Sequence, residues 1–269
     1  MTGPKWVFQP VYATAIAINA GILMLAVSRS GTDPGPLWGL LAEDRLVEWM
    51  QFLCFSIIAI LLAFVTAERW SRTRRITLEV LGLAGLTALV ALAAVEEISW
   101  FQRVLGVQSP EFFVQNNRQA ETNLHNMALG GASLHKTILL KLILLAGLAH
   151  NLVLPLLARS RPGIRRWVES LGVYLPPLSV SVVYLLLVIL SHLLIDHPRK
   201  GELGETFGAV HYLATVFMAY YAGAAYERPA LLQNAPERRL GIRLFAAAML
   251  FVLMLAWLLG AVAPLDTSI

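Results

Sequence analysis

Seven stretches of about twenty predominantly apolar residues recur along the chain, and nothing else constrains its fold as much, since a helix of that length is what crosses a hydrocarbon layer. They lie near 11–28, 46–67, 76–98, 137–158, 174–195, 207–226 and 241–262. In lipid every backbone N–H and C=O must be satisfied within the protein, which leaves helices and closed barrels. A barrel would alternate apolar and polar residues over about ten positions, and these runs are unbroken. Hydrophobic residues make up 57% of the chain, charged residues 14%, and the mean hydropathy is +0.65. The expectation is an all-α integral membrane protein, a single polytopic domain forming a seven-transmembrane-helix bundle.

The loops between these runs set the topology. Most of the 21 basic residues fall on the side of the N-terminus, in Lys5 and the loops at 69–75, 159–166 and 228–243. The positive-inside rule then puts the N-terminus inside and the C-terminus outside, in a bacterial cytoplasmic (inner) membrane. The net charge of +4 reads as topology, and no Gly-rich phosphate loop or basic-aromatic stripe points to nucleic acid. Cys54, the one cysteine, lies inside an apolar run, so it forms no intrachain disulfide and reads as a small core residue.

Acidic residues follow the opposite pattern. Of the 17, only Glu68, Glu79, Glu169, Glu227 and Glu237 fall on the basic side. On the other side Glu43, Asp44 and Glu48 open the second span, and Glu96, Glu97, Ser99 and Gln102 close the third. Glu121, Asn123 and His125 precede the fourth; His192, Asp196 and His197 end the fifth; Glu202, Glu205 and His211 open the sixth. Each ionisable group near a bilayer centre costs roughly 2.5–3.5 kcal/mol on insertion scales, so such groups need a partner, a cavity or a ligand. Ser109-Pro110-Glu111 has the chemistry of a helix start, with a hydroxyl cap and proline at the first position, and predicts a short interfacial helix near 110–117. Gly82, Gly85, Gly130, Gly131, Gly208 and Gly223 predict close helix packing.

Helical spacing places Glu96, Ser99 and Arg103 on one face, and Glu48 and Gln51 one turn apart. A hydrolytic reading gives His125, His192, His211 and Asp196 to zinc or another divalent metal, with an open position for water. Glu96 or Glu97 would then activate water and Ser99 would orient the scissile carbonyl. Arg103, Gln102, Glu48, Glu121, Asn123 and Glu205 would hold the substrate, a membrane lipid cleaved at an amide or ester bond. A competing reading is structural, in which an Arg103–Glu96 pair or a Glu48 network holds helices together. His150 and Asn151 would then satisfy one another or a kinked backbone, and Trp100 would sit in the interface belt. A third reading is non-enzymatic: a proton-linked carrier without cofactor, or a subunit of a homo-oligomer or membrane complex.

The blocks Glu43-Asp44-x-x-x-Glu48-Trp49, Glu96-Glu97-Ile98-Ser99-Trp100-x-Gln102-Arg103 and Glu121-x-Asn123-Leu124-His125-Asn126 resemble those of a family of uncharacterised multi-pass bacterial membrane proteins. More distantly, the order Glu48, Ser99-Trp100, Glu121, His211 is similar to that of the seven-helix alkaline ceramidase and progestin-receptor-like membrane hydrolases. That resemblance implies zinc-dependent cleavage of a lipid amide. The position where those hydrolases carry a histidine soon after the serine reads Gln102-Arg103 here. Their paired histidines of the last helix are reduced to Glu205 and His211. The resemblance therefore implies a metal set rebuilt with carboxylates, or one lost along with the activity.

Overall fold

The computed structural model describes residues 9–31, 33–124, 126–129, 132–134, 138, 140–223 and 230–262. The chain opens with α1 (Pro10–Ser28), where proline occupies the first helical turn and loses no bond by lacking an N–H. A short α2 (Gly35–Leu41) follows and buries Leu37, Leu40 and Leu41. The long α3 (Leu46–Thr73) turns back through Arg74, and α4 (Leu78–Glu97) starts on the Thr77 hydroxyl, which accepts from the Val80 N–H at 3.2 Å. After two short helices, α5 (Gln102–Leu105) and α6 (Glu111–Asn116), comes a two-residue antiparallel ladder, β1 (Ala128–Leu129) with β2 (Ala132–Ser133). The remaining helices are α7 (Leu140–Leu148), α8 (Leu154–Ser160), α9 (Pro162–Ser170), α10 (Leu178–Leu194), α11 (Gly201–Val216) and α12 (Ala235–Val262).

Five helical segments are long and apolar enough to cross a membrane; α10 is a shorter apolar helix. Among the described residues each expected run is at least partly helical; the fifth is helical only from Leu178 to Leu194, and the fourth and sixth are interrupted. A wider π turn, Ala149–Val153, joins α7 to α8, and another, Phe217–Tyr221, extends α11. Proline explains the first. Pro155 has no N–H to give the carbonyl of Asn151, four residues back, and its ring crowds that carbonyl. The Leu154 N–H bonds the Ala149 carbonyl instead, so the helix widens by one residue.

At the centre stands α11, whose side chains from Thr206 to Val216 are nearly all buried, packed by α3, α1 and α10. Asn19 of α1 donates to the Phe207 carbonyl at 3.0 Å, a polar tie inside an otherwise apolar contact. On the outside, Met24, Ile60, Phe64, Leu89, Leu193 and Leu258 are exposed, as lipid-facing side chains would be. Cys54 is buried and free, as expected of a core residue.

Close packing is concentrated at particular glycines. A Cβ on Gly82 would lie 2.0 Å from the Leu171 carbonyl oxygen, and one on Gly260 would lie 2.7 Å from the Leu46 backbone nitrogen. Gly85, expected to pack closely, faces open space, and Gly130 and Gly131 lie outside the described residues. Gly260 also accepts from Arg45 Nη1 at 2.8 Å, joining the end of α12 to the start of α3. Gly260→Ala is expected to lower stability by about 1–3 kcal/mol because backbone, not a movable side chain, must shift. Thermal unfolding in detergent beside Gly85→Ala, which meets no neighbour, checks this.

The interfacial segment departs from its expected start. Pro110 itself flanks α6, and the Ser109 hydroxyl does not cap the helix; it donates to the Ala120 carbonyl at 2.5 Å. The third span also does not continue as a helix past Glu97. Ser99, Trp100 and Phe101 all take left-handed backbone angles, at φ 47°, 55° and 61°, so Glu96, Ser99 and Arg103 do not share a helical face. Each such non-glycine residue costs on the order of 1–3 kcal/mol and persists only where its surroundings hold it.

Candidate functional site

What holds that reversed turn is a hydrogen-bonded cluster around Arg103. Its Nε and Nη2 grip both Asp44 oxygens at 2.9 and 3.1 Å. Nη2 also reaches Glu48 at 2.9 Å, while Nη1 donates to Glu121 at 2.7 Å and to the Ser99 hydroxyl at 3.1 Å. All five N–H donors of the guanidinium are thereby used. Partial burial disfavours its charge, but Glu48, then Asp44 and Glu121, more than offset this and hold it protonated above its ordinary range. An anionic headgroup would have to displace a carboxylate to bind here. The Arg103–Glu96 pair considered from the sequence does not form; Glu96 accepts from the Trp100 indole at 2.8 Å and from the Leu124 N–H at 2.6 Å.

The neighbours of Arg103 are equally occupied. Ser99 donates to Glu121 at 2.5 Å and accepts from Asn123 at 2.8 Å as well as from Arg103, so its hydroxyl is fully committed. Asn123, 3% exposed, also bonds Asn117, and the Gln102 amide oxygen accepts from the Thr122 N–H at 2.6 Å. Glu48 Oε2 accepts from the Asp44 N–H. The loop at 117–124 is thus fastened over the ends of α3 and α4 by side chains from three directions.

A second guanidinium extends the cluster to α11. Arg199 reaches Glu43 at 3.1 Å and Glu202 at 3.3 Å, and Glu202 meets Gln51 of α3, whose Nε2 also donates to the Glu202 carbonyl at 2.9 Å and to Thr206 at 3.1 Å. Desolvation opposes the Arg199 charge, but Glu202, Glu43 and Glu48 raise its pKa above the usual value. Five carboxylates (Glu43, Asp44, Glu48, Glu121, Glu202) thus surround two guanidiniums, leaving the site net negative.

Two further carboxylates form no ion pair among the described residues, although Arg199 acts on Glu205 electrostatically. Glu97 at the end of α4 and Glu205 on α11 lie within electrostatic reach of each other, and Glu202, Glu48 and Glu96 also act on Glu97. Both are partly buried, and among the described residues neither accepts a hydrogen bond or forms an ion pair.

The histidines are dispersed. His192 is exposed and turns Nδ1 to the Val188 carbonyl at 3.0 Å, beside Gly204. His211 lies two turns further along α11, roughly 10 Å of helix rise from Gly204. It is 3% exposed, stacks on Tyr184 with ring centres 4.5 Å apart, and its Nε2 meets the Asn151 side-chain oxygen at 2.9 Å. Asp196 is exposed. Among the described residues no three metal-ligating side chains gather, and His125 lies outside them. Asn151 does not bond His150: it donates to Tyr212 at 2.6 Å, while His150 faces the Tyr174 carbonyl at 3.0 Å. Tyr184, Asn151, Tyr212 and Arg199 were not among the expected site residues.

His197 is structural. It is 3% exposed, meets Trp38 edge-on at 4.7 Å, and its Nδ1 accepts from the Arg199 N–H at 3.2 Å. A proton on Nδ1 would break that bond; burial and then the Arg199 charge lower its pKa. Because the folded value lies below the unfolded value of about 6.5, this contribution is complete above that pH and declines as pH falls below it. Unfolding then takes up about one proton more than in His197→Gln, a difference in slope of up to roughly 1.4 kcal/mol per pH unit. Denaturation midpoints of the two proteins between pH 7 and pH 5 check this.

No family model, curated protein or solved structure matches the chain.

Proposed function

We propose that the chain crosses a bacterial cytoplasmic membrane seven times, N-terminus inside and C-terminus outside, and works as a proton-linked carrier whose proton site is the Glu97–Glu205 pair. The observation that carries this reading is the contrast between that pair and its surroundings. Glu43, Asp44, Glu48, Glu121 and Glu202 each form an ion pair with a guanidinium, whereas Glu97 and Glu205, within electrostatic reach of each other, form none among the described residues, Arg199 acting on Glu205 only from beyond ion-pair distance. Two carboxylates so placed in an apolar bundle repel unless a proton or cation is shared between them.

The pair spans two helices that both pack on α3, namely α4 and α11. Ionising both drives α4 from α11, and one shared proton draws them together, so proton occupancy biases the opening of the outer end. The excess of carboxylates there favours a small solute carrying positive charge. The resident lipid is solvent for the bundle rather than its substrate, and a homo-oligomer is compatible with the exposed apolar surface.

Lipid hydrolysis at a zinc or other divalent site is the weaker reading. His192, His211 and Asp196 stand apart, Arg103 and Ser99 have no free bonding capacity, and Glu96 is tied to Trp100 and Leu124.

The test is proton entry into proteoliposomes holding a trapped pH-sensitive dye, with potential clamped by potassium and valinomycin. The carrier reading expects acidification faster than in protein-free vesicles. Entry equal to lipid leak, with the protein folded, overturns it.

A further inference from the structure

Independently of the carrier reading, we propose that the seam between α3 and α4 seats one anionic phospholipid, with an acyl chain in its groove and the phosphate on Arg74 and Arg75. A groove of about 390 Å³ runs along this seam. Ala63, Thr66 and Ala67 of α3 and Ala84, Thr87 and Ala88 of α4 line it, and because all six are small the surface sinks between the helices. Leu62, Val65 and Leu83, from the same turns, are fully buried and fill the interior side. Larger side chains, Ile60, Phe64, Leu81 and Leu89, stand exposed on the same two helices.

The groove suits a hydrocarbon chain. The Thr66 hydroxyl donates to the Leu62 carbonyl and the Thr87 hydroxyl to the Leu83 carbonyl, each at 2.7 Å, so both hydrogens are spent within their own helices. The two hydroxyl oxygens lie 3.5 Å apart across the seam, and neither needs a polar ligand. From Ala63 to Trp70 the groove follows α3 for roughly 10 Å, against roughly 15 Å for one leaflet's share of the hydrocarbon core. Trp70, half-exposed, and Val80 end it near the turn that joins the helices, where an indole sits at the level of lipid headgroups.

Charge at that end selects the lipid. Glu68 pairs with Arg72 and lies 3.6 Å from Arg69, which reaches Glu79 at the same distance. Two carboxylates are thus met by two guanidiniums. Arg74 and Arg75 follow, both exposed and in no ion pair among the described residues, so the turn carries two positive charges in excess. A phosphate above the groove would meet both, and a guanidinium matches phosphate oxygens with paired hydrogen bonds. A second copy of the chain is the competing occupant. Inserted the same way, it would bring its own basic loops to this depth and set like charges against Arg74 and Arg75. An anionic lipid has the complementary sign.

Native mass spectrometry of the detergent-purified chain, titrated with phosphatidylglycerol or with phosphatidylcholine of the same acyl chains, tests this. The wild type is expected to hold one phosphatidylglycerol about tenfold or more tightly than phosphatidylcholine. Arg74→Gln with Arg75→Gln is expected to erase that preference. Arg239→Gln with Arg243→Gln, which removes two exposed charges from the start of α12, is expected to keep it. Ala67→Phe with Ala88→Phe fills the groove at two exposed positions and is expected to weaken phosphatidylglycerol binding about tenfold as well. No preference in the wild type, or one that survives either the groove-filling or the Arg74 and Arg75 substitutions, overturns the site. So does a preference erased equally by the α12 pair, which would be general surface charge. A dimer that the groove-filling variant dissolves gives the groove to a second copy and overturns it too. Should that variant fail to fold, Trp70 quenching by phosphatidylglycerol brominated on its acyl chain, read as the difference from Trp70→Phe, replaces it. Quenching no stronger than by brominated phosphatidylcholine then overturns the site.

Discussion

Arg103→Ala unfolds at markedly lower temperature than the wild type in the same detergent, with a stability loss of roughly 3–5 kcal/mol, the usual cost of leaving buried charges without their partner. Three carboxylates depend on that one guanidinium, and its Ser99 contact helps hold a turn of three left-handed residues. Arg103→Lys recovers only part of the loss, because one ammonium cannot supply five fixed donors to four side chains. Joining Arg103→Met to Asp44→Asn, Glu48→Gln and Glu121→Gln is milder than Arg103→Ala, since no charge is then stranded. A loss below about 1 kcal/mol for Arg103→Ala would place the cluster among ordinary surface ion pairs.

Replacing both Glu97 and Glu205 has the second large effect, and it falls on function. Glu97→Gln with Glu205→Gln is expected to bring proton entry to the lipid-leak level while thermal stability stays equal or rises, because the substitution removes like-charge repulsion. That combination distinguishes a proton site from helix-holding groups, whose loss lowers stability. Glu96→Gln serves as comparison: its carboxyl accepts from Trp100 and Leu124, so its change weakens the turn rather than the proton site.

The helices were legible because burial in lipid leaves a crude signal, twenty apolar residues in a row, and Cys54, α1, α3, α4 and α12 followed it closely. The convergence of Glu48, Ser99, Gln102, Arg103, Glu121 and Asn123 was legible only as a shared depth; no spacing rule revealed that Arg103 would be ringed by Asp44, Glu48 and Glu121. The turn at Ser99–Phe101 was hidden because none of its three left-handed residues is glycine, the residue that announces such angles. Tyr184, Asn151 and Tyr212 escaped notice because uncharged polar side chains within an apolar run look like filler. One signal was present: Pro155 four residues after Asn151 marks a carbonyl without its donor, and hence a break in the helix beside a polar pair.

The most direct measurement is an infrared titration of the purified protein in lipid, following the protonated-carboxyl stretch in H2O and its shift in D2O. A wild-type signal that titrates reversibly and disappears in the Glu97→Gln, Glu205→Gln double variant is the expected result. A signal unchanged by the double variant, or no protonated carboxyl at any pH that preserves the fold, contradicts a shared proton at this pair and with it the carrier.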